Sequence, residues 1–269
     1  MIDGALPYLR CPVCEDTLTR GDERSLRCPR GHSFDIARQG YVNLTTGRSP
    51  HPGDTAEMIA DRETFLAAGH YDFVATAMTA AVRPEPGLVV DAGTGTGSYL
   101  AALLDALPDQ DTPGLGLDVS KPALRRAARA HPRAAAALAD LWSPLPLVTG
   151  CAALIINVFA PRNGPEFRRV LAPGGRLAVV TPAPEHLSEL VAAHGLIRVD
   201  PGKAERVAEA LGADFTAVTS TTHRRTLDLS AAETRTLVGM TPSARHVPLE
   251  RMTGGTVTVA VDVTVYRPA

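Results

Sequence analysis

Two groups of residues in this 269-residue chain have the types and spacing to do chemistry. The first is Cys11-Pro-Val-Cys14 followed by Cys28-Pro-Arg-Gly-His32. In a reducing compartment thiols spaced this way hold metal. Cys-x2-Cys on one knuckle and Cys-x3-His on another set three thiolates and an imidazole tetrahedrally around Zn2+. Such a set is closed to water, so the expected zinc is structural. The fourth cysteine, Cys151, lies in an apolar run and reads as a small core residue. The second group is Asp91-Ala-Gly93-Thr94-Gly95-Thr96-Gly97, which follows three apolar residues. Glycine at every second position lets the backbone turn tightly and admits a ligand with no Cβ in the way. The dinucleotide pattern G-x-G-x-x-G fits only loosely, because the glycine spacing differs and an acid precedes the loop. That acid would repel a pyrophosphate and suits a cationic ligand.

These residues need a scaffold, and the apolar periodicity supplies one. The run from Leu88 to Asp91 is a short buried strand, and a helix from Ser98 to about Leu107 presents its N-terminal amides to the loop. Gly114-Leu-Gly-Leu-Asp118 is a second strand ending in a carboxylate, about 20 residues after the loop, where α/β folds bind ribose hydroxyls. Residues 135–140 form a third, ending in Asp140, and residues 151–158 a fourth. A helix at 166–171, a Pro173-Gly-Gly175 turn, a strand at 176–181 and a helix at 184–194 follow. Residues 215–229 and 256–266 read as the sixth and seventh strands. The last has apolar residues at odd numbers, an alternation suited to an antiparallel strand at the sheet edge. Before the loop, Asp54-Thr-Ala-Glu57 has the capping-box pattern of a helix that stops at Gly69-His70, and residues 71–82 form another. The expected division is a zinc-binding domain at 1–52, a helical connector at 53–86 and a larger domain at 87–269.

Composition narrows the partners. A formal charge of −2 and a pI near 6.4 give no global basic signal, so a nucleic acid would have to be met by a local patch. Candidates for such a patch are Arg38, Arg48, Arg62, Arg162, Arg224 and Arg225, gathered around one cleft. Residues 33–52 carry Phe34, Arg38, Tyr41, Arg48 and His51, which suit either stacking on single-stranded RNA or a solvated linker anchored by two aromatics. No targeting segment and no bilayer-spanning apolar run is expected, which points to a cytoplasmic protein without a membrane partner.

The loop with its preceding acid resembles motif I of class I S-adenosylmethionine-dependent methyltransferases. The chain as a whole resembles the bacterial 23S rRNA (guanine-N1)-methyltransferases of the RlmA family. That resemblance rests on the zinc knuckles, on Phe34-Asp-x-Ala-x-x-Gly40-Tyr-Val-Asn-Leu44, and on Pro52-Gly-Asp-x-x-Glu57-Met with Phe65-Leu-x-x-Gly69-His70-Tyr71. It continues through Val158-Phe-Ala-Pro161, Pro173-Gly-Gly175, Thr181-Pro-x-Pro-x-His186-Leu and Met240-Thr-Pro242. It implies a class I methyltransferase: a Rossmann-like α/β fold with a mostly parallel seven-stranded sheet, last strand antiparallel, beside a small N-terminal zinc-binding domain. S-adenosylmethionine would lie against Tyr71, Asp91, Gly93, Thr94, Gly95, Thr96, Gly97, Asp118 and Asp140, the last at the adenine amino group. The implied reaction is methylation of guanine N1 in a 23S rRNA hairpin near the macrolide site, at about nucleotide 748, with resistance to macrolides such as tylosin. The neighbouring guanosine at about nucleotide 745 is the alternative within the family. The family also implies a homodimer.

Asn157 stands where the family pattern has a basic residue before the aromatic-Ala-Pro run. As the polar residue at a strand end beside the reacting base, Asn157 could bond the guanine edge, and Phe159 could stack on a flipped base or simply pack in the core. Asp140 and Asn157 are the candidates near the chemistry, Arg162 a phosphate or base contact. His186, His223 and His246 are isolated and read as surface or satisfied polar groups, and no residue is marked as the base that takes the N1 proton. Two further readings stay open, a small-molecule methyltransferase and a zinc-ribbon RNA-binding protein with an inactive methyltransferase fold.

Overall fold

Capping residues and apolar runs set the elements. In the computed structural model, which describes residues 2–47, 51–83, 85–200 and 202–269, the chain opens with α1 (Ile2–Ala5). A small antiparallel sheet of β1 (Thr19–Asp22), β2 (Ser25–Arg27) and β3 (Ser33–Asp35) comes next. Then come β4 (Val42–Asn43), α2 (Ala56–Ala67) and α3 (Asp72–Ala81). Thr55 caps α2 by accepting a bond from Met58 N at 3.3 Å, while Asp54, the expected start of the capping box, pairs instead with Arg62 at 2.7 Å.

From there the chain runs β5 (Leu88–Ala92), α4 (Ser98–Ala106), β6 (Gly114–Asp118), α5 (Lys121–Ala127), β7 (Ala134–Leu138), β8 (Ala152–Val158), α6 (Gly164–Val170), β9 (Leu171–Pro182), α7 (Ser188–His194), α8 (Lys203–Leu211), β10 (Phe215–Leu229), α9 (Ala231–Gly239) and β11 (Gly255–Pro268). The main sheet has the order β10-β11-β9-β8-β5-β6-β7-β4. Strands β5 to β9 run parallel, and β11 is antiparallel to both β9 and β10.

Three expectations are corrected here. The antiparallel strand β11 sits one in from the edge, between β9 and β10, because its odd-numbered valines from Val257 to Val265 are buried, whereas most of β10 is exposed. The sheet has eight strands, since β4 of the N-terminal segment pairs in parallel with Ala137 and Leu138 of β7. The Pro173-Gly-Gly175 turn lies inside β9 as a bulge and does not precede the strand: the pairing with β8 jumps from Ala152–Leu171 to Leu154–Arg176, and Gly174 there has a φ of 82°.

Period-2 alternation divides the core between the two faces of the sheet. On one face Leu88, Val90, Leu115, Leu117 and Phe167 pack with Leu9, Leu26, Phe34 and Val42 of the N-terminal segment. On the other, Val89, Leu100, Leu104, Ile156 and Val259 pack with Phe65, Val74 and Met78 of α2 and α3. Truncating a fully buried ring such as Phe65 or Phe167 to alanine costs about 3–5 kcal/mol in such a setting. The N-terminal segment and the helical pair thus share their cores with the sheet. The sheet in turn presents the carboxyl ends of β5 to β9 as one crest, where ligands of open α/β sheets bind.

Candidate functional site

The zinc ligands come together as the spacing requires. Cys11, Cys14, Cys28 and His32 place one ligand atom each, all within 4.8 Å of one another. Cys14 Sγ lies 3.6 Å from Cys28 Sγ, and His32 Nδ1 lies 3.3 Å from Cys28 Sγ and 3.6 Å from Cys11 Sγ. A tetrahedron built on Zn–S of about 2.3 Å and Zn–N of about 2.0–2.1 Å has edges close to these lengths, so the donor set fits zinc. Each pair rides a tight turn. Glu15, next after Cys14, has a φ of 64° and donates its N–H to the Cys11 carbonyl at 2.8 Å, and Gly31 with φ 85° does the same for Cys28 at 3.0 Å. Phe34 and Tyr41 are buried, which leaves them as anchors of the following segment and not as stacking platforms for RNA. Cys151 is half-buried at the edge of the core, and burial pushes its thiol up to about 11.

The glycine loop is tied to the carboxylates around it. Asp91 is buried at the end of β5; its Oδ2 accepts from Thr94 Oγ1 at 2.8 Å, and its Oδ1 has no hydrogen-bond partner. Burial, with the charge of Asp118 adding, pushes the Asp91 carboxyl up to about 7. Asp118 accepts from Gly95 N and Ser120 N at 2.8 Å each, which holds the loop over the end of β6 while each oxygen keeps a second lone pair. Gly93 has a φ of 89°, and a Cβ there would collide with Ala160. A buried, unpaired carboxylate oxygen under a side-chain-free cradle fits a cationic ligand such as the methionine end of S-adenosylmethionine.

Asp140 closes the far end of this row. Its Oδ2 lies 3.0 Å from His51 Nδ1 and its Oδ1 accepts from Trp142 N at 3.0 Å. Trp142, the one tryptophan of the chain, is exposed beside it.

On the opposite side stand the aromatic residues. Phe159 has a φ of 52° and is 41% exposed, so it is not a core residue. Its ring is 6.5 Å from that of Tyr71 and 6.1 Å from that of His186, centroid to centroid. Tyr71 itself is buried at the start of α3, edge-on to Phe65 and Phe73, so its ring lines the aromatic side of the crest. A left-handed backbone at a bulky residue costs about 1–3 kcal/mol and is retained where the surroundings impose it. Here the imposing partner is Asn157: its Nδ2 donates to the carbonyls of Ala92 and Pro161 at 2.8 Å each, bracketing the strained residue. Asn157 is fully buried and both its amide hydrogens are committed, so the structure gives it the work of a strut between β5 and the Phe159 loop. It does not present a donor to a guanine edge.

The arginines divide. Arg62 lies over the glycine loop, held by Asp54 at 2.7 Å and by the Met240 carbonyl at 3.0 Å. Arg225 stacks over Phe73 at 5.4 Å, while Arg224, the preceding residue of β10 and so on the opposite face, pairs with Glu185. Arg162, four residues past the end of β8, is half-buried, with its Nε lacking a partner. Arg38 is exposed on the N-terminal segment, and Arg48 lies outside the described residues.

One residue of the crest is not marked by the sequence: His186 is isolated there yet meets Phe159 and Tyr71 in space, and only its place in Thr181-Pro-x-Pro-x-His186-Leu points to it. Arg62, expected with the arginines of the cleft, lies against the glycine loop.

Residues 9–46 match the family model of the RlmA N-terminal zinc ribbon. A Micromonospora griseorubida protein assigned as a 23S rRNA (guanine-N1)-methyltransferase is 58% identical, with 98% of each chain covered. The 23S rRNA (guanine(748)-N(1))-methyltransferase of Streptomyces fradiae is 48% identical, with 97% of each covered. Among solved structures, a chain from the complex of the Haloferax volcanii Trm112 methyltransferase activator with its methyltransferase aligns with a TM-score of 0.52 at 19% identity, over 80% of this chain and 98% of that one.

Proposed function

The chain belongs to the family of 23S rRNA (guanine-N1)-methyltransferases that carry an RlmA-type zinc ribbon, and from that premise we propose that it methylates N1 of guanosine 748 and thereby confers macrolide resistance. The enzyme uses S-adenosylmethionine and holds a structural zinc. S-adenosylmethionine supplies, when bound, an electrophilic methyl group on a positively charged sulfur.

The protein's own residues do the rest. Asp91 and Asp118 hold and orient the cofactor's charged and hydroxylated parts around Gly93, Thr94, Gly95, Thr96 and Gly97, with Tyr71 as a wall and Asp140 at the adenine end. A guanosine must leave its stack to reach the crest, and Phe159 offers an exposed ring to receive it. The observation that carries this assignment is the strained, outward-facing Phe159, whose loop is bonded to the end of the cofactor strand through Asn157. Arg225, stacked over Phe73, supplies positive charge for the RNA backbone in a chain that is acidic overall. Much of the rate would come from holding base and methyl donor in line.

In this reading residues 1–52 recognise RNA, 53–86 connect, and 87–269 perform the transfer. The enzyme acts in the cytoplasm as a homodimer. Among the described residues no helix is long and apolar enough to cross a membrane. Expression of the wild-type chain in a macrolide-sensitive bacterium tests the resistance: the inhibitory concentration of tylosin should rise, and Phe159→Ala should return it to the level of the empty host. An unchanged inhibitory concentration with the wild type would remove the resistance reading.

A further inference from the structure

The His186 ring lies 6.1 Å, centroid to centroid, from the exposed ring of Phe159, and its two nitrogens are in different situations. Nδ1 is 2.9 Å from the Ala260 carbonyl oxygen, which also accepts from Ala183 N at 3.0 Å, and the Ala260 N–H points at Nδ1 at 3.3 Å. The two contacts suit opposite tautomers: a protonated Nδ1 donates to the carbonyl, and a bare Nδ1 accepts from Ala260 N and puts the proton on Nε2. In the first form the shorter contact is the hydrogen bond, which leaves the ring's lone pair on Nε2. Nε2 has no hydrogen-bond partner among the described residues, and it is not one of the sealed, unpaired polar atoms of the interior.

The ring is also fixed. His186 N donates to the Ala183 carbonyl at 3.0 Å, and Leu187 N to the Thr258 carbonyl at 2.8 Å. Leu187 is held at a φ of 58°. Among the described residues the non-glycine residues with positive φ are Glu15, Phe159 and Leu187. One belongs to the zinc knuckle, one is Phe159 itself, and the third follows His186, so both rings of the Phe159–His186 contact sit at strained backbone. Strain of this kind gathers where a side chain must be aimed.

Resting on the N1-methylation reading, we propose that Nε2 of His186 accepts the N1 proton of the target guanine during methyl transfer. Guanine N1 is protonated at neutral pH and becomes a stronger acid as it gains a bond to carbon. The N1–CH3 bond forms, the S–CH3 bond breaks with its electron pair remaining on sulfur, and the N1 proton moves to Nε2. The positive charge that leaves the sulfonium reappears on the imidazolium, which passes its proton to solvent. Burial lowers the His186 pKa to about 4, so the ring is neutral and its lone pair available before the reaction. Glu185, paired with Arg224 of β10, lies beside the ring and favours its charged form, while Tyr71 faces it from the start of α3. The other carboxylate and amide candidates are engaged elsewhere, Asp140 with His51 and Asn157 with two carbonyls.

The test compares wild type with His186→Phe, which keeps an aromatic wall, and His186→Ala, which leaves space for a small base. Single-turnover transfer to the rRNA hairpin should fall at least about 100-fold in both, the scale of a lost general base. Affinities for S-adenosylmethionine and for the hairpin should change less than about threefold. Added imidazole should restore transfer to His186→Ala and not to His186→Phe. A readout independent of turnover is the His186 ring resonance in the complex with S-adenosylhomocysteine. It should move on adding a hairpin with the target guanosine and stay in place with the same hairpin carrying N1-methylguanosine. Transfer by His186→Phe within about fivefold of wild type, or no difference between the two hairpins in the resonance, would overturn the proposal. Failure of the parent reading is told apart by the wild type transferring no methyl to the hairpin at all.

Discussion

Asn157 Nδ2 donates to the carbonyl oxygen of Ala92 at 2.8 Å, and that bond fastens the end of β8 to the strand that carries Asp91. The second amide hydrogen reaches Pro161, so one side chain fixes the loop on which Phe159 is presented. Its Oδ1 is buried without a partner, which makes the site sensitive to the sign of charge placed there.

Asn157→Ala is therefore expected to destabilise the protein by about 2–4 kcal/mol, since it strands two buried carbonyls and leaves a cavity. Asn157→Asp should be worse, because a buried carboxylate would face the same two carbonyl oxygens. Urea unfolding measures both. A loss under about 0.5 kcal/mol for Asn157→Ala would argue against the strut.

Asp91 sets a pH dependence. Its carboxyl is raised to about 7, foremost by burial, above its ordinary value of 3.8. Between these values the folded protein binds a proton that the unfolded chain has released. Stability without cofactor should thus fall as pH rises from about 4 to about 7, by up to about 4 kcal/mol, and level off above. A cationic ligand prefers the ionised form, so affinity for S-adenosylmethionine should climb over the upper part of that range and plateau above about pH 7. Titration calorimetry on wild type and Asp91→Asn checks this: the variant should bind more weakly and lose the slope. A flat wild-type profile would contradict it.

Gly93 and Gly150 both have positive φ, 89° and 67°, but only Gly93 has a neighbour that a Cβ would strike. Gly150→Ala should cost about 1–2 kcal/mol of backbone strain with no change in cofactor affinity. Gly93→Ala adds a collision with Ala160, and so shifts the Phe159 loop; binding of S-adenosylmethionine should weaken at least tenfold. Fluorescence of the lone Trp142, beside Asp140, offers a direct titration.

The zinc ribbon shares its core with the sheet through Leu9, Leu26 and Phe34, so metal loss should be felt beyond the knuckles. Cys28→Ser should abolish stoichiometric zinc and lower the melting temperature of the whole chain, while His32→Cys, another tetrahedral donor set, should keep about one zinc per chain. Atomic emission and calorimetry read the two effects. A Cys28→Ser chain that melts like wild type would contradict the shared core.

What the sequence made legible follows from locality. Asp91, Asp118 and Asp140 each close an apolar run, so their common crest could be read from strand periodicity alone, and the four metal ligands could be read from their spacing. The alternating valines of β11 announced its period but not its neighbours, because burial on the inward face is the same at the edge and one strand in. His186 and Phe159 meet only after β8 and β9 have paired, and nothing local marks the histidine as other than a surface group. Asn157 looked available because the carbonyls that occupy it belong to Ala92 on another strand and to the turn at Pro161. α9 went unread because the threonines of its Ala231–Gly239 sequence are weak helix formers; its Ser230–Glu233 capping box and its packing against α2 support it instead.

The central claim is transfer of a methyl group to N1 of one guanosine, and it is tested most directly with labelled S-adenosylmethionine and a 23S rRNA fragment containing the macrolide-site hairpin. Methylation at N1 blocks base pairing, so primer extension should stop at guanosine 748, label should enter the RNA, and both should vanish with Phe159→Ala. Label entering with no stop in that hairpin, or no transfer by a chain that binds S-adenosylmethionine, would contradict the account.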